Sequence, residues 1–360
     1  MSTLRSSQIS HRVIHTLHVV LQMNLPTGST CPDIVYLWVN GQDPEWLGRR
    51  LIAEKQYYGP QSCRFSNVEG RFRDNDELRY SLRSLMPHLD AFGQIFIITD
   101  RQKPSWLLDH PRVSVIDHSV LRDEGWGPTY SSKALEVCLD RLPSTNNFIY
   151  LNDDVFLGRN FSQNDFFDQA EQKTVIHFEQ LEDRDPLHDV SQNLAMNISH
   201  EILARQYNLK QFPDKPMAHS PRYLIQEQLK LLYKEFPEAV RAAREEIFRE
   251  SSVPSVVADL YGRWMLVSGN GIENAVPHAL VSSGSPNIKQ QLSQLIKNLE
   301  HLSYFCVNDT LDNTPSSHHN FLLIQSVLSE IFPEPSEFEY ISINRRVGNT
   351  HHSSLQRNDA

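Results

Sequence analysis

The chain alternates short, unbroken apolar runs with amphipathic ones, and the apolar runs of the first half each end on an acid or an amide. "DIVYLWVNG" from Asp33, "IFIITD" from Ile95, "RVSVID" from Arg112 and "FIYLND" from Phe148 have strand length and β-prone composition, which predicts buried strands. Between them the spacing turns helical. "DELRYSLRSLMPHL" sets Leu78, Leu82, Leu85 and Leu89 at intervals of four, three and four. "SSKALEVCLDRL" sets Leu135, Leu139 and Leu142 on one face behind a serine placed to cap the helix. Strands alternating with helices predict an α/β fold with a mostly parallel sheet, whose ligands bind at the carboxyl ends of the strands. Asn40, Asp100, Asp117 and the cluster Asn152-Asp153-Asp154 then share one rim.

That cluster poses the first chemical question, because two adjacent carboxylates at a strand end repel each other. Either water screens them, as in many acidic turns, or a cation does. The stretch from about 186 to 345 reads as mostly helical, in "SHEILARQYN", "SPRYLIQEQLKLLYKEFPEAVRAAREEIF", "SVVADLYGRWMLV", "IKQQLSQLIKNLEHL" and "FLLIQSVLSEIF". It carries the basic residues Lys215, His219, Arg222, Arg249 and Arg263. The pattern divides the chain into a leader (1–30), an α/β half (31–185), a mainly helical half (186–345) and a polar tail (346–360).

Composition narrows the class. With 39% apolar and 22% charged residues, 360 residues suffice for one large or two ordinary globular domains. "VIHTLHVVLQM" near the start falls short of the roughly 20 apolar residues that span a bilayer, and no small-residue cleavage site follows it. The expectation is a cytoplasmic protein without a transmembrane segment, with peripheral contact at a membrane surface left open. Cys31, Cys63, Cys138 and Cys306 are far apart and form no CxxC pair, which argues against a zinc site or a disulfide scaffold. A net charge of −10 argues against nucleic acid as a partner, and an anionic substrate would need a metal or a local basic cluster. The usual P-loop, dinucleotide, zinc-protease and serine-hydrolase motifs are missing. What remains is an acid-amide rim facing a basic helical half, a combination suited to a nucleotide-sugar enzyme.

At this point a resemblance adds to the reading. "DIVYLWVNGQDPEW" (33–46) resembles the first signature block of the Stealth family of sugar-phosphate transferases. "RFRDNDELRYSLRSLMPHLDAFGQIFIITDRQKPSWL" (71–107), together with "YSSKALEVCLDRLPSTNNFIYLNDDVFLG", resembles the second. "KPMAHSPRYLIQEQLKLLYKEFPEAV" (215–240) is similar to the third, and "YFCVNDTLDN" with "IFPEPSEFE" to the fourth. The blocks come in family order. The resemblance implies a GT-A-like nucleotide-binding core and a divalent cation, Mg²⁺ or Mn²⁺. It also implies transfer of a sugar 1-phosphate from a nucleotide diphospho-sugar donor to a hydroxyl of a sugar or polysaccharide acceptor, as in capsule or exopolysaccharide synthesis.

By the same resemblance Glu136, Asp154, His219 and Arg249 match active-site positions, with Asp153 and Asp154 on the metal. Asn40, Gly41 and Asp43 match the nucleotide-side turn, and Asn308-Asp309 matches the pair in the fourth block, where a capping turn is the plain alternative. Arg79 and Lys215 join the substrate-binding set. Either His219 or a carboxylate could take the acceptor's proton. Two other functions stay open: a metal-dependent glycosyltransferase that moves the sugar alone, and an inactive module that binds sugar nucleotides or polysaccharide. Residues 183–193 and 268–290 are the expected places for donor and acceptor selection.

Overall fold

A computed structural model describes residues 31–58, 68–144, 146–179, 189–209, 213–312 and 314–340. The expected leader and tail, Cys63 and most of 183–193 lie outside these residues. The four apolar runs form β1 (Asp33–Leu37), β2 (Ile95–Thr99), β3 (Val113–Asp117) and β4 (Asn147–Asn152). They are mutually parallel, in the spatial order β3-β2-β1-β4. Unbroken apolar strands fit the inner positions β2, β1 and β4, where both faces of the sheet are covered; β3 lies at the edge, carries Ser114 and leaves Val115 exposed. Val35 enters one core cluster with Phe148 and Tyr150, and its neighbours Ile34 and Tyr36 enter the other with Ile149 and Leu151. This is the two-residue alternation of side chains across a strand.

The helix Glu77–Leu85 seals one face with Leu78, Leu82 and Leu85, all fully buried. It stops before the predicted Leu89, and a 3₁₀ segment Met86–Ala91 follows, because Pro87 has no N–H for the helical ladder and its ring crowds the preceding turn. The run from Ser131 is shorter than its spacing predicts: the α-helix covers Ser132–Glu136, and a 3₁₀ turn covers Leu139–Arg141. Ser131 does not cap it. Its hydroxyl donates to the buried carboxylate of Glu246 instead.

After β4 come β5 (Val155–Leu157), β6 (Phe167–Asp168) and β7 (Lys173–Ile176). The second half is mostly helical but also supplies β8 (Arg222–Ile225), β9 (Gly271–Glu273), β10 (His278–Ser282) and β11 (Tyr304–Asn308). The helix expected from Ser220 onward therefore begins later. Tyr223, Leu224 and Ile225 extend along β4 as an antiparallel edge, and the helices Gln226–Glu235 and Pro237–Arg244 follow, separated at Phe236. Leu224 packs on one face of the sheet and Tyr223 and Ile225 on the other, so the strand is buried on both sides like its neighbours. Two three-stranded sheets, β10-β11-β5 and β6-β7-β9, flank the central one. Among the described residues no helix is long and apolar enough to cross a membrane.

Candidate active site

The Asp153-Asp154 turn lies where the chain leaves the central sheet on β4 and enters a second sheet on β5. This accounts for the pattern apolar run, acid cluster, apolar run: two buried strands belong to different sheets, and the polar hinge between them faces a cleft. Val307 of β11 donates its N–H to the Asp154 carbonyl at 3.0 Å and fixes the hinge to the second sheet. The cleft has a volume of about 370 Å³. Its lining brings together Glu136, Asp153, Asp154 and His219 with Arg249, Asn308 and Asp309, although these residues come from separate parts of the chain.

Its acidic side is unusually crowded. Burial raises the Asp154 carboxyl above its ordinary range; nearby His219 and a hydrogen bond with Cys306 oppose the shift, and Asp309 adds to it. Asp153 is pushed well up by burial and by the charges of Asp154, Glu77 and Asp74. Among the described residues two buried carboxylate oxygens of this cleft have no hydrogen-bond donor, Asp154 Oδ1 and Glu136 Oε2. The other oxygen of Glu136 accepts from Tyr150 Oη at 3.3 Å, and that hydroxyl also lies 2.9 Å from Asn152 Oδ1. Behind the turn, burial pushes Glu77 up to about 7 and Asp74 up to about 6, even though Asn75 donates its backbone and side-chain N–H groups to Glu77 at 2.6 and 2.8 Å.

These carboxyls make stability depend on pH in a defined sense. Their folded pKa values lie above the unfolded ones, near 4, so between about 4 and 7 the folded state holds more protons than the unfolded state, and stability falls as pH rises through that window. Buried histidines act in the opposite sense, His118 above all, which burial pushes down to about 4, so the carboxyl contribution is read by difference: Glu77→Gln is expected to lose less stability between pH 5 and pH 8 than the metal-free wild type. Thermal melts in EDTA check this, and an equal pH dependence in the two proteins would contradict it.

The opposite charge comes from the basic side. Among the described residues neither Arg71 nor Arg249 is held by a carboxylate, and both line the cleft. Burial and the charge of Arg249 push the Arg71 guanidinium down to about 10, with Asp312 opposing. Lys133 is lowered by burial, and Arg249 adds to that shift against Glu246 and Glu136; its ammonium donates to the carbonyls of Glu250 and Val253, both at 2.7 Å. His219 receives a buried partner that sequence reasoning missed, Glu179, whose Oε1 lies 2.7 Å from Nδ1. Arg71 and Lys133 were also missed. Arg71 sits within a run of mixed charges, Glu69 to Glu77, that reads as a solvated surface.

Other predicted residues have contacts that shape the fold around the cleft. Asp309 accepts from Arg73, Ser283 Oγ and the Leu311 N–H, so it ties loops together. Asn308 ends β11, where its carbonyl accepts from the Ser283 N–H. Asn40, Gly41 and Asp43 form a turn outside the cleft lining. Asn40 Oδ1 accepts from the Gln42 N–H, and Asp43 Oδ1 accepts from the Trp46 N–H at the start of the helix Pro44–Tyr58. Arg79 pairs with Glu339 at 2.5 Å and Lys215 with Glu273 at 3.1 Å, both outside the lining.

Gly41 does reach the site through packing. Its N–H donates to the Phe72 carbonyl at 2.6 Å, and a Cβ there would stand 2.5 Å from that oxygen. Phe72, which lines the cleft between Arg71 and Arg73, would have to move. Gly41→Ala is expected to destabilise the protein by about 1–3 kcal/mol. Equilibrium denaturation tests this, and an unchanged midpoint would refute the close approach.

Comparison with known proteins places this cleft in a family context. The chain matches the models for Stealth protein conserved region 1 over residues 33–63 and conserved region 2 over residues 71–175. The second match contains Glu136, Asp153 and Asp154. Among curated proteins, the chain is 31% identical over 312 residues to the exopolysaccharide phosphotransferase SCO6023 of Streptomyces coelicolor, covering 85% of this chain and 52% of that protein. It is 29% identical to the exopolysaccharide phosphotransferase CpsY of Mycobacterium leprae, covering 86% of this chain and 57% of that one. The chain thus spans about half the length of these relatives. Among solved structures, the galactosyltransferase LgtC with donor and acceptor sugar analogs gives a TM-score of 0.42 at 8% identity, covering 85% of this chain and 98% of that one. The bifunctional glycosyltransferase WbbM gives 0.42 at 10%, covering 85% and 51%. Both scores are too low to carry an argument. The chain thus carries conserved regions 1 and 2 of Stealth proteins and is similar along most of its own length to exopolysaccharide phosphotransferases.

Proposed function

We propose that the protein transfers a sugar 1-phosphate from a nucleotide diphospho-sugar to a hydroxyl of a sugar or polysaccharide acceptor. The observation that carries this reading is the charge arrangement of the cleft. Among the described residues, carboxylates with undonated oxygens share it with two guanidiniums, Arg71 and Arg249, that no carboxylate pairs with. A diphosphate bridged to the acids by a divalent cation would satisfy both sides. The names of the curated relatives support the same class of reaction.

Among the described residues no three acidic, histidine or cysteine side chains are arranged to hold an ion. Mg²⁺ needs no third: one or two carboxylates suffice when substrate phosphates and water complete the octahedron. The undonated Asp154 Oδ1 beside Asp153 fits that role. When bound there, the cation would neutralise charge on the diphosphate. Arg249 and Arg71 bind and orient the phosphoryl group from the basic side. The acceptor oxygen attacks the sugar-bearing phosphorus, and the bond from that phosphorus to the bridging oxygen breaks. His219 takes the acceptor's proton, and the nucleoside monophosphate leaves with the bridging oxygen.

Product analysis tests this. With UDP-N-acetylglucosamine and other UDP-hexoses, Mg²⁺ or Mn²⁺ and a panel of sugar acceptors, chromatography should show UMP released only when an acceptor is present. UDP would mean that the sugar alone moves and would overturn the phosphodiester product. Chelation with EDTA is expected to stop turnover and excess Mg²⁺ to restore it; full activity in EDTA would remove the cation from the mechanism.

A further inference from the structure

We infer that Glu179 is the positioning residue for His219: it holds the proton of the imidazole on Nδ1 and presents Nε2 as the base. The inference rests on the reading of His219 given above. The two side chains are 40 residues apart in sequence and meet at 2.7 Å. Their backbones are fixed to one another beforehand. Phe178 and Met217 form an antiparallel bridge, the Glu179 N–H donates to the Pro216 carbonyl at 3.0 Å, and the Ala218 N–H donates to the His177 carbonyl at 3.0 Å. His177 anchors this small ladder, with its two ring nitrogens 2.9 and 2.8 Å from the carbonyls of Asn274 and Asp165.

Burial gives the pair a direction. The Glu179 side chain is 4% exposed and that of His219 24%, so the carboxylate lies behind the ring and the ring lines the cleft. A carboxylate accepts only, so the nitrogen facing it carries a proton in the neutral imidazole, and the lone pair resides on the other nitrogen. An imidazole that could rotate or exchange tautomers would present a donor to the acceptor hydroxyl part of the time, and a donor cannot remove a proton.

The test is a double-mutant cycle on kcat in the full chain, with UDP-N-acetylglucosamine or whichever UDP-hexose gives UMP. Glu179→Gln replaces the acceptor with a group that can present either an oxygen or an N–H to Nδ1. It is expected to lower kcat by about 10²–10⁴-fold with donor KM unchanged, because an orienting carboxylate acts on the base and not on binding. Glu179→Asp should recover part of that loss. Added to His219→Ala, Glu179→Gln should cause no further loss, since it acts only through the ring. Wild-type kcat in Glu179→Gln, or a loss that multiplies that of His219→Ala, overturns the inference. Wild-type kcat in His219→Ala would instead overturn the reading on which it rests. If Glu179→Gln does not fold, ¹⁵N spectra of histidine-labelled protein decide, with the His219 signal assigned by its loss in His219→Gln: protonation on Nδ1 is expected, and protonation on Nε2 refutes the inference.

Discussion

Replacing Asp154 with Asn is expected to abolish transfer while leaving the protein as stable as before or more so. The wild-type carboxylate sits in a crowded acidic pocket in which burial and Asp309 disfavour its charge, and Oδ1 receives no donor among the described residues. Folding around this charge therefore costs stability, and the isosteric amide removes the cost, a trade of stability for activity often found at functional sites. The same change takes a full negative charge from the site proposed to hold a cation on the diphosphate, and kcat should fall by about 10³-fold or more. Two measurements make the case together. The rate of UMP release should be lost, and the rise in melting temperature that saturating Mg²⁺ gives the wild type, worth about 2.7 kcal/mol at 100 times Kd, should shrink. A variant with wild-type turnover would remove Asp154 from the mechanism. A variant that is inactive but clearly less stable would show that the side chain serves the fold.

Much of this arrangement could be read along the chain, and the reasons differ from residue to residue. The inner strands β1, β2 and β4 were legible because strands buried on both faces are continuously apolar, as in a sheet under two covering layers; β3, at the edge, kept enough of the pattern to be read with them. Asp153-Asp154 was legible as a polar turn and candidate site because two acids between two apolar runs mark where a buried strand meets the surface, with water or a cation left open as the screen; the sequence could not show that the runs belong to different sheets. β8 was hidden because Tyr223-Leu224-Ile225 is too short to show a period, and the helical spacing after it absorbs it. Asn40 and Asp43 illustrate the reverse problem. An amide or acid after a strand can bind a ligand or cap the next helix, and here both make local turn contacts. Glu179 gave no signal, since it lies in an irregular segment after β7 and its partner is distant in sequence. Arg71 was hidden among charges, and its nearness to Arg249 exists only in three dimensions.

That nearness leads to the second large expected effect, at Arg249. Arg71 and Lys133 feel the charge of Arg249 as repulsion beside the larger cost of burial, Glu246 feels it as attraction, and among the described residues no carboxylate pairs with it. Removing Arg249 therefore costs the empty protein little. What it removes is charge aimed at the transferred phosphoryl group, where negative charge shifts as the bond to the leaving nucleotide breaks. Arg249→Ala is expected to lower kcat/KM by about 10²–10³-fold with an unchanged melting temperature. Arg249→Lys should restore only a minor part, because an ammonium keeps the charge but cannot donate two parallel hydrogen bonds to a phosphate. Arg71→Ala separates binding from chemistry: if Arg71 holds the diphosphate equally in ground and transition states, donor KM rises with kcat preserved. Steady-state kinetics on the three variants decides the matter. Equal, small effects on KM alone at both positions would make the two arginines a common binding patch and would leave the reacting phosphorus without its cationic partner.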